Sequence, residues 1–242
     1  MIVLFTDFGL EGPYTGQLKA VLYRAAPGIP VVDLFADAPA REPKAAAYLL
    51  AAYGTWFPLD TVLLAVIDPG VGTERAALVI EAEGRWYVGP DNGLFELVIR
   101  RAATARTWEM QPPPGPLSAS FHGRDLFAPI AAQIARGELP SHMPRDAKIG
   151  RYVHWPDDLP EIVYIDHYGN AMTGLRAPLL PVTGRMTVSG RTLQRAGTFA
   201  EVPLGEAFWY ENSNGLAEIA VNGGHAADAL GLTIGSPVAI DC

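Results

Sequence analysis

Residues 61–75 read TVLLAVIDPGVGTER. The apolar run from Thr61 to Ile67 predicts a buried strand that ends on Asp68 and a Pro-Gly turn. Ligands of open α/β sheets bind at the carboxyl ends of the strands, so Asp68 stands where a binding site is expected. Arg75 follows past two glycines that let the backbone fold back, and we therefore expect its guanidinium to reach the Asp68 carboxylate.

An Asp-Pro-Gly sequence by itself is typical of an ordinary turn, but this chain carries further polar clusters of the same kind. Each is flanked by glycines or by apolar runs, and they are Thr6-Asp7-Phe8-Gly9, Gly89-Pro90-Asp91-Asn92-Gly93, Phe121-His122-Gly123-Arg124-Asp125, Asp166-His167-Tyr168-Gly169-Asn170 and Asn212-Ser213-Asn214-Gly215. Together they favour one functional site, although turn chemistry alone would also explain the asparagines.

Size and charge narrow the class of protein. With 242 residues, 49% of them hydrophobic, the chain is long enough to bury a sizeable core. Its net charge of -8 argues against nucleic acid and against an anionic membrane surface as partners, and it suits a cationic ligand. The only cysteine is Cys242, so neither a disulfide framework nor a thiolate metal site is expected. Without a signal peptide or an apolar stretch of transmembrane length, the sequence predicts a cytoplasmic protein.

The pattern of elements changes along the chain. The first half alternates apolar strands with helical repeats, which predicts an α/β fold. Residues 137–160 are rich in Pro, His and charged residues without periodicity, and we place the linker there. We expect a larger N-terminal α/β sandwich-like domain in residues 1–150 and a smaller C-terminal β-barrel in residues 151–242. The strands predicted for the second domain are Glu161 to Ile165, Arg185 to Val188, Arg191 to Gln194, Ala207 to Tyr210, Glu218 to Val221 and Pro237 to Ile240.

Three of the polar side chains form a candidate catalytic set. Asp68, Arg75 and His122 supply an acceptor, a permanent cation and a group that titrates near neutrality. Together they can hold a water, take its proton or stabilise hydroxide, and direct it at an electrophile. The chain lacks the Gly-x-Ser-x-Gly elbow of serine hydrolases and the glycine signatures of nucleotide-binding loops. A metal site built from Asp7, Asp68 and His122 is conceivable, but no ligand spacing supports it.

In order and over nearly the whole chain, these motifs resemble those of the S-adenosyl-L-methionine hydroxide adenosyltransferase family, the hydrolase relatives of fluorinase and chlorinase. The resemblance implies a larger amino-terminal α/β domain, a carboxy-terminal β-barrel, and a homotrimer with each active site between neighbouring subunits. It also implies attack of water or hydroxide on C5′ of S-adenosyl-L-methionine to give adenosine and L-methionine, without a cofactor or a metal. In that reaction Asp68, Arg75 and His122 would be the catalytic triad that activates water.

The same resemblance implies roles for residues that bind the substrate. These are Asp7 for the ribose hydroxyls, Asp166 and Ser213 for the methionine end, Asn170 for the adenine, and the backbone from Glu218 to Gly223, with Val221 as the main contact, for the adenine edge. One position departs from the family pattern, because Gly174 stands where members usually carry Asn. We therefore expect a difference in the fine detail of the purine pocket.

Two positions favour water over halide as the nucleophile. Halogenating members of the wider family resemble this chain but carry an aromatic residue in place of Asp68 and a hydroxyl residue in place of Gly123. A carboxylate at position 68 would repel a halide by on the order of 1 kcal/mol even in water, and by more in a dry pocket. The readings that compete with hydrolysis are a non-catalytic protein that binds adenosine or S-adenosyl-L-methionine, a halide-dependent transferase, and a metal-dependent hydrolase.

Overall fold

A computed structural model describes residues 1–112, 115–139, 142–145 and 152–241, the short segment 142–145 by its backbone only. The chain divides into two compact units, Met1–Tyr152 and Val153–Cys242. The predicted domain boundary at residues 150 and 151 lies outside the described residues, so it stays a prediction. Among the described residues, no helix has the length and apolar character needed to cross a membrane.

The first unit is built on a seven-stranded mixed sheet. Its strands are β1 Ile2–Thr6, β2 Val31–Phe35, β3 Val62–Val66, β4 Ala77–Ala82, β5 Arg85–Pro90, β6 Ala105–Met110 and β7 His142–Arg145. They lie in the order β2-β1-β3-β5-β4-β6-β7. The pairs among β2, β1, β3 and β5 are parallel, and the pairs among β5, β4, β6 and β7 are antiparallel. The sequence therefore correctly indicated strand-helix units in the first part, and the structure shows that these strands are parallel and that an antiparallel half completes the sheet.

Helices cover both faces of this sheet. They are α1 Tyr14–Ala25, α2 Pro43–Tyr53, α3 Glu96–Arg101 and α4 Ala128–Ala135, the last preceded by a wide helical turn over Gly123–Phe127. On one face α1 and α4 pack on Leu4, Leu64 and Val66. On the other face the Phe35 ring joins the Phe5 ring of β1 to the Tyr53 ring at the end of α2. Because β3 is buried on both faces, it reads as a continuous apolar run rather than as an alternating pattern.

The second unit consists of two antiparallel sheets and a short helix. Its elements are β8 Leu159–Ile165, β9 Ala171–Arg176, β10 Arg185–Val188, β11 Arg191–Leu193, β12 Ala207–Glu211, β13 Leu216–Val221, α5 Ala226–Leu230 and β14 Val238–Asp241. One sheet has the order β12-β13-β9-β8 and the other β11-β10-β14. Ile162, Trp209 and Ile219 from the first sheet share one apolar core with Met186 and Val188 from the second.

The structure adds elements that the sequence pattern did not reveal. The strand β7 lies within residues 137–160, so the linker predicted for that whole segment is wrong in part. The strand β6 was missed because its sequence, ARTWEM, mixes charged and apolar residues. The strand β9 was missed because AMTGLR has few β-branched residues and contains Gly174, although the strand is buried along almost its full length. In both cases pairing with neighbouring strands outweighs the weak local preference.

Candidate active site

Two parallel strands bring the first polar groups together. In the register of β1 and β3, Thr6 lies opposite Val66, so Asp7 and the segment Ile67-Asp68 leave the sheet at the same edge. The side chain of Asn92 supports this edge by donating from Nδ2 to the carbonyl oxygen of Ile67 over 2.8 Å. The motif around Asn92 was noted in the sequence without a role, and the structure shows that it holds the backbone that presents Asp68.

The loop after Asp68 folds back on itself, as the two glycines in the sequence predicted. The hydroxyl and the N–H of Thr73 both donate to the carbonyl oxygen of Gly70, over 2.7 and 3.1 Å. Gly72 has a φ of 83° and lies against the backbone of Ala119, where a Cβ would be 2.6 Å from the carbonyl oxygen. A side chain at position 72 would therefore displace the loop that returns the chain towards Asp68.

This loop delivers Arg75 to Asp68, and the expected contact is confirmed. Nε of Arg75 donates to Oδ1 of Asp68 over 2.6 Å, and Nη2 donates to Oδ2. The side chains of Arg75 and Asp68 are only 9% and 6% exposed. A bidentate pair that is this well shielded from water holds both groups in one orientation.

His122 completes the set through the same guanidinium. Nη2 of Arg75 lies 3.1 Å from Nδ1 of His122. Because an arginine can only donate, Nδ1 is the acceptor, and the neutral ring carries its proton on Nε2. Burial and then the positive charge of Arg75 lower the pKa of His122 from its ordinary value of 6.5, so the ring is neutral at pH 7. The His122 side chain therefore offers an N–H donor at Nε2.

The second terminal nitrogen of Arg75, Nη1, takes no part in these contacts. Its Nη1 is buried and has no hydrogen-bond partner among the described residues. The guanidinium carbon lies 5.1 Å from the centroid of the Phe127 ring, which covers one face of the cation. A buried N–H group without an acceptor is costly, so a bound oxygen at this position would stabilise the site.

Asp7 lies at the same edge with one carboxylate oxygen already bound. The backbone N–H of Arg41 donates to Oδ2 of Asp7 over 2.8 Å. Burial raises the pKa of Asp7 above its ordinary value, and the charge of Asp68 acts in the same direction, while the Arg41 N–H opposes both. The carboxylate is thus half-buried and directed by the backbone.

Three aromatic rings surround this edge, and the sequence did not identify them as a group. The ring centroid of Phe8 lies 5.6 Å from that of Phe121, and the ring of Tyr14 lies 5.3 Å from that of Phe121. A Cβ at Gly123 would be 3.1 Å from Cζ of Phe8 and 3.3 Å from Cε2 of Phe121. The sequence contains one indication that two of these rings lie near the site, because Phe8 directly follows Asp7 and Phe121 directly precedes His122.

In the second unit, Asp166 and Asn170 form one compact turn. Asp166 Oδ1 accepts from the backbone N–H groups of Tyr168 and Asn170 over 2.9 and 2.8 Å, and Oδ2 accepts from Nδ2 of Asn170 over 3.2 Å. Gly169 has a φ of 81° and lies on the ring of His225, where a Cβ would be 2.2 Å from the ring carbons. The two candidate residues are therefore held together, and only glycine fits between them.

Glu218 is a buried carboxylate in the middle of β13, 3% exposed. It accepts from Nδ2 of Asn212 over 2.8 Å and from the hydroxyl of Tyr210. Burial raises the pKa of Glu218 above its ordinary value. Since Oδ1 of Asn212 in turn accepts from the N–H groups of Asn214 and Leu216 over 2.9 and 3.0 Å, this network shapes the turn next to it.

Ser213 and Val221 lie at the two ends of the β12-β13 hairpin. Ser213 is in the turn, and its hydroxyl accepts from Nδ2 of Asn214 over 3.1 Å. Val221 is the last residue of β13 and pairs with Ala207 on β12. On the other side, the register of β13 with β9 ends at Ile219 opposite Ala171. Val221 thus lies beyond the described ladder with β9.

The candidate residues fall into two sets, one in each unit. The first contains Asp7, Asp68, Arg75 and His122, and the second contains Asp166, Asn170, Ser213, Glu218 and Val221. Among the described residues, no group of three or more His, Cys, Asp and Glu side chains could hold a metal ion. Asp68, Arg75 and His122 thus place hydrogen-bond donors and an acceptor close together.

Comparison with known proteins establishes the class. Residues 2–144 match the model of the SAM hydroxide adenosyltransferase N-terminal domain, and residues 160–239 match that of the C-terminal domain. The chain therefore belongs to the S-adenosyl-L-methionine hydroxide adenosyltransferase family, as the sequence motifs predicted.

Individual relatives agree with this assignment. The chain is 43% identical to an (R)-S-adenosyl-L-methionine hydrolase of Thermus thermophilus, with 98% of each chain covered. It is 35% identical to an (R)-S-adenosyl-L-methionine hydrolase of Salinispora arenicola, with 97% of this chain and 95% of the relative covered. The crystal structure of an uncharacterized conserved protein from Thermotoga maritima matches with a TM-score of 0.85 and 29% identity, and both chains are covered fully.

Proposed function

We propose that this protein hydrolyses S-adenosyl-L-methionine to adenosine and L-methionine through attack of water or hydroxide on C5′. The observation that carries the proposal is the shielded Asp68–Arg75–His122 set, in which one guanidinium contacts both other groups. Membership of the hydroxide adenosyltransferase family supports it, and so do the names of the relatives from Thermus thermophilus and Salinispora arenicola.

In the proposed reaction the leaving group needs no acid. The oxygen of water forms a bond to C5′, the C5′–S bond breaks, and its electron pair passes to sulfur. The positive sulfonium thereby becomes the neutral thioether of methionine. What the protein must provide is an oriented nucleophile with little surrounding water.

The catalytic set meets this need with two donors and one acceptor. Nη1 of Arg75 and Nε2–H of His122 are the donors that would hold the nucleophilic oxygen, since neither is used within the set. Two donors to one oxygen stabilise hydroxide over water and so lower the pKa of the bound water. The Asp68 carboxylate would accept the remaining hydrogen bond and receive the proton that the water loses.

The proposal assigns the remaining residues to the substrate. Asp7 would bind the ribose hydroxyls, and its support is a half-buried carboxylate whose Oδ2 is oriented by the N–H of Arg41. Asp166 and Ser213 would contact the methionine end, Asn170 the adenine, and the Glu218–Gly223 backbone, chiefly at Val221, the adenine edge. For Glu218 the side chain is occupied by Tyr210 and Asn212, so its proposed part is limited to the backbone and to support of the neighbouring turn.

Two features of the site favour water over halide. The Asp68 carboxylate would repel an anion at the nucleophile position by about 1 kcal/mol or more. At Gly123, a Cβ would lie 3.1 Å from the Phe8 ring and 3.3 Å from the Phe121 ring, so the hydroxyl side chain that halogenating members carry would require these rings to shift. The proposed reaction uses no cofactor and no metal.

The assembly is part of the proposal. We propose a homotrimer with active sites between neighbouring subunits, which would bring a first set and a second set of residues to one substrate. In the second unit, isolated bridges between Glu161 and Pro237 and between Arg195 and Trp209 run along the margins of the two sheets, which supports the proposed β-barrel. A cytoplasmic location is proposed because the single cysteine offers no disulfide.

The proposed homotrimer has its own test. Light scattering coupled to gel filtration would measure the number of subunits in the assembly.

The test of the function is a direct assay. The purified protein is incubated with S-adenosyl-L-methionine in halide-free buffer that contains a chelator, and adenosine and methionine are separated by chromatography. Heavy-oxygen water should place its label in the 5′-hydroxyl of adenosine, as attack at C5′ requires. Asp68→Asn, which keeps the shape but removes the negative charge, should abolish the product.

Each competing function predicts a different result. A dependence on halide would indicate a transferase, and loss of activity in chelator would indicate a metal-dependent hydrolase. Binding of adenosine or S-adenosyl-L-methionine without turnover would replace the hydrolase with a non-catalytic binding protein.

A further inference from the structure

Arg41 has a backbone conformation that its side chain does not favour. Its φ is 60°, in the left-handed region, which costs an L-residue other than glycine free energy. The side chain is exposed, so tight packing does not account for the conformation. Non-glycine residues held in this region are concentrated at functional sites, where the surrounding structure determines them.

The left-handed conformation coincides with the contact to Asp7. The N–H of Arg41 donates to Oδ2 of Asp7 over 2.8 Å. The loop that carries Arg41 is also tied to both sides of Asp7, because Gly9 N–H donates to Ala36 O over 2.6 Å and Ala38 N–H donates to Thr6 O over 3.1 Å. The backbone before Asp7, the backbone after it and its carboxylate are therefore all fixed by one loop, residues 36–41.

We propose that Arg41 is a positioning residue for the substrate: its left-handed backbone directs an N–H group at one carboxylate oxygen of Asp7, so that the other oxygen faces the ribose hydroxyls. The inference rests on the proposed function, in which Asp7 binds the ribose. It assigns the effect to the backbone of Arg41 and separates it from the charge of the guanidinium.

A pair of substitutions isolates the backbone effect. Arg41→Gly and Arg41→Val both remove the guanidinium and both keep the N–H group. Glycine adopts the left-handed conformation at no steric cost, whereas the branched side chain of valine opposes it. Any difference between the two variants therefore reports the direction of the N–H group and not the lost charge.

The measurement is calorimetric titration with adenosine and with 2′,3′-dideoxyadenosine, which lacks the 2′- and 3′-hydroxyls of the ribose. Loss of one hydrogen bond to a charged group corresponds to an affinity change of about ten-fold or more. We expect Arg41→Val to bind adenosine about ten-fold more weakly than Arg41→Gly, and the two variants to bind dideoxyadenosine equally. A structural defect alone would weaken both ligands alike.

Asp60 provides the matched control. Its φ is 61°, and its N–H donates to the carbonyl oxygen of Gly84 over 2.7 Å. Asp60→Gly and Asp60→Val repeat the same change of backbone preference at a residue outside the proposed site. Asp60→Val should lower thermal stability as Arg41→Val does, while adenosine affinity and turnover stay at the wild-type values.

The outcomes separate this inference from the proposed function. If the wild type hydrolyses S-adenosyl-L-methionine but Arg41→Val and Arg41→Gly bind adenosine with equal affinity, the positioning role of Arg41 is overturned. The proposed hydrolase function would then stand. Weakened adenosine binding in Asp60→Val would also overturn it, since destabilisation would then explain the effect. A wild type that neither hydrolyses S-adenosyl-L-methionine nor binds adenosine would overturn both.

Discussion

Replacing Arg75 with lysine should lower the turnover number while leaving KM for S-adenosyl-L-methionine nearly unchanged. Arg75 contacts both oxygens of Asp68 and also Nδ1 of His122, and its Nη1, which has no partner within the described part of the chain, is proposed to hold the nucleophile. Lysine keeps the positive charge, but a single ammonium group cannot reach four positions that a planar fork spans. The variant therefore tests the geometry of the set and not its charge.

The expected size of the effect follows from the contacts that are lost. A hydrogen bond to a charged group contributes about 1.5–3 kcal/mol, and the shielding of Arg75 and Asp68 prevents water from replacing it. Removal of one preorganised donor from a developing charge lowers turnover by about 10²–10³-fold in well-studied sites. We expect a loss of that order for Arg75→Lys. KM should hold because the proposed site places no part of the nucleoside on Arg75.

The assay is a single-turnover measurement of adenosine formation, with KM from steady-state kinetics. Arg85→Lys is the control, because Arg85 also makes several contacts, with Nε donating to Phe57 O over 2.6 Å and Nη2 to Thr55 O over 3.0 Å. That variant should lose some stability and keep its turnover. The reasoning would be refuted by an Arg75→Lys enzyme whose turnover is within three-fold of wild type, or by a defect confined to KM.

Three further predictions concern neighbouring groups. Burial and the charge of Arg75 lower the pKa of His122 below 6.5, so the loss of kcat/KM on the acid side that comes from protonation of His122 should have its midpoint below pH 6.5. The measurement is kcat/KM between pH 5 and 8. A midpoint at or above pH 6.5 would contradict the neutral ring assigned to His122. Gly123→Ser should reduce hydrolysis by about ten-fold or more, since the added Cβ would press on the rings of Phe8 and Phe121. The variant should form no halide-dependent product, which chromatography of reactions with and without chloride would check. Asp7→Ala should weaken adenosine binding about ten-fold with less effect on the chemical step, and an unchanged affinity by calorimetry would remove Asp7 from the ribose.

The parts of the fold that the sequence predicted well are those with strong local patterns. The β3 strand is buried on both faces, so its apolar run marks its position without ambiguity. The two glycines at positions 70 and 72 likewise predicted the turn that returns Arg75 to Asp68. Strands such as β6 and β9 carry no such pattern, because their stability comes from the strands on either side.

In the candidate site, too, the sequence predicted some features and only the folded structure shows the others. The sequence identified Asp68, Arg75 and His122 as chemical groups, and the two glycines between the first two predicted that Arg75 would turn back. The tautomer of His122 depends on a contact between residues 47 positions apart. Nη1 of Arg75 has no partner among the residues that the structure describes, and this depends on which atoms the folded loop brings near it.

The sequence by itself determined the family, the order of the polar motifs and the identity of the groups that we propose to activate water, because these are properties of residue type and spacing. The tertiary structure decided that Asp7 and Asp68 leave the sheet at one edge, that Asn92 bonds the backbone before Asp68 while Arg41 bonds the Asp7 carboxylate, and that two phenyl rings lie close to Gly123. The physical reason is that hydrogen bonds and ring contacts act over a few ångströms. Which distant residues come within that range is set by the register of strands and the path of loops, and not by any short stretch of the chain.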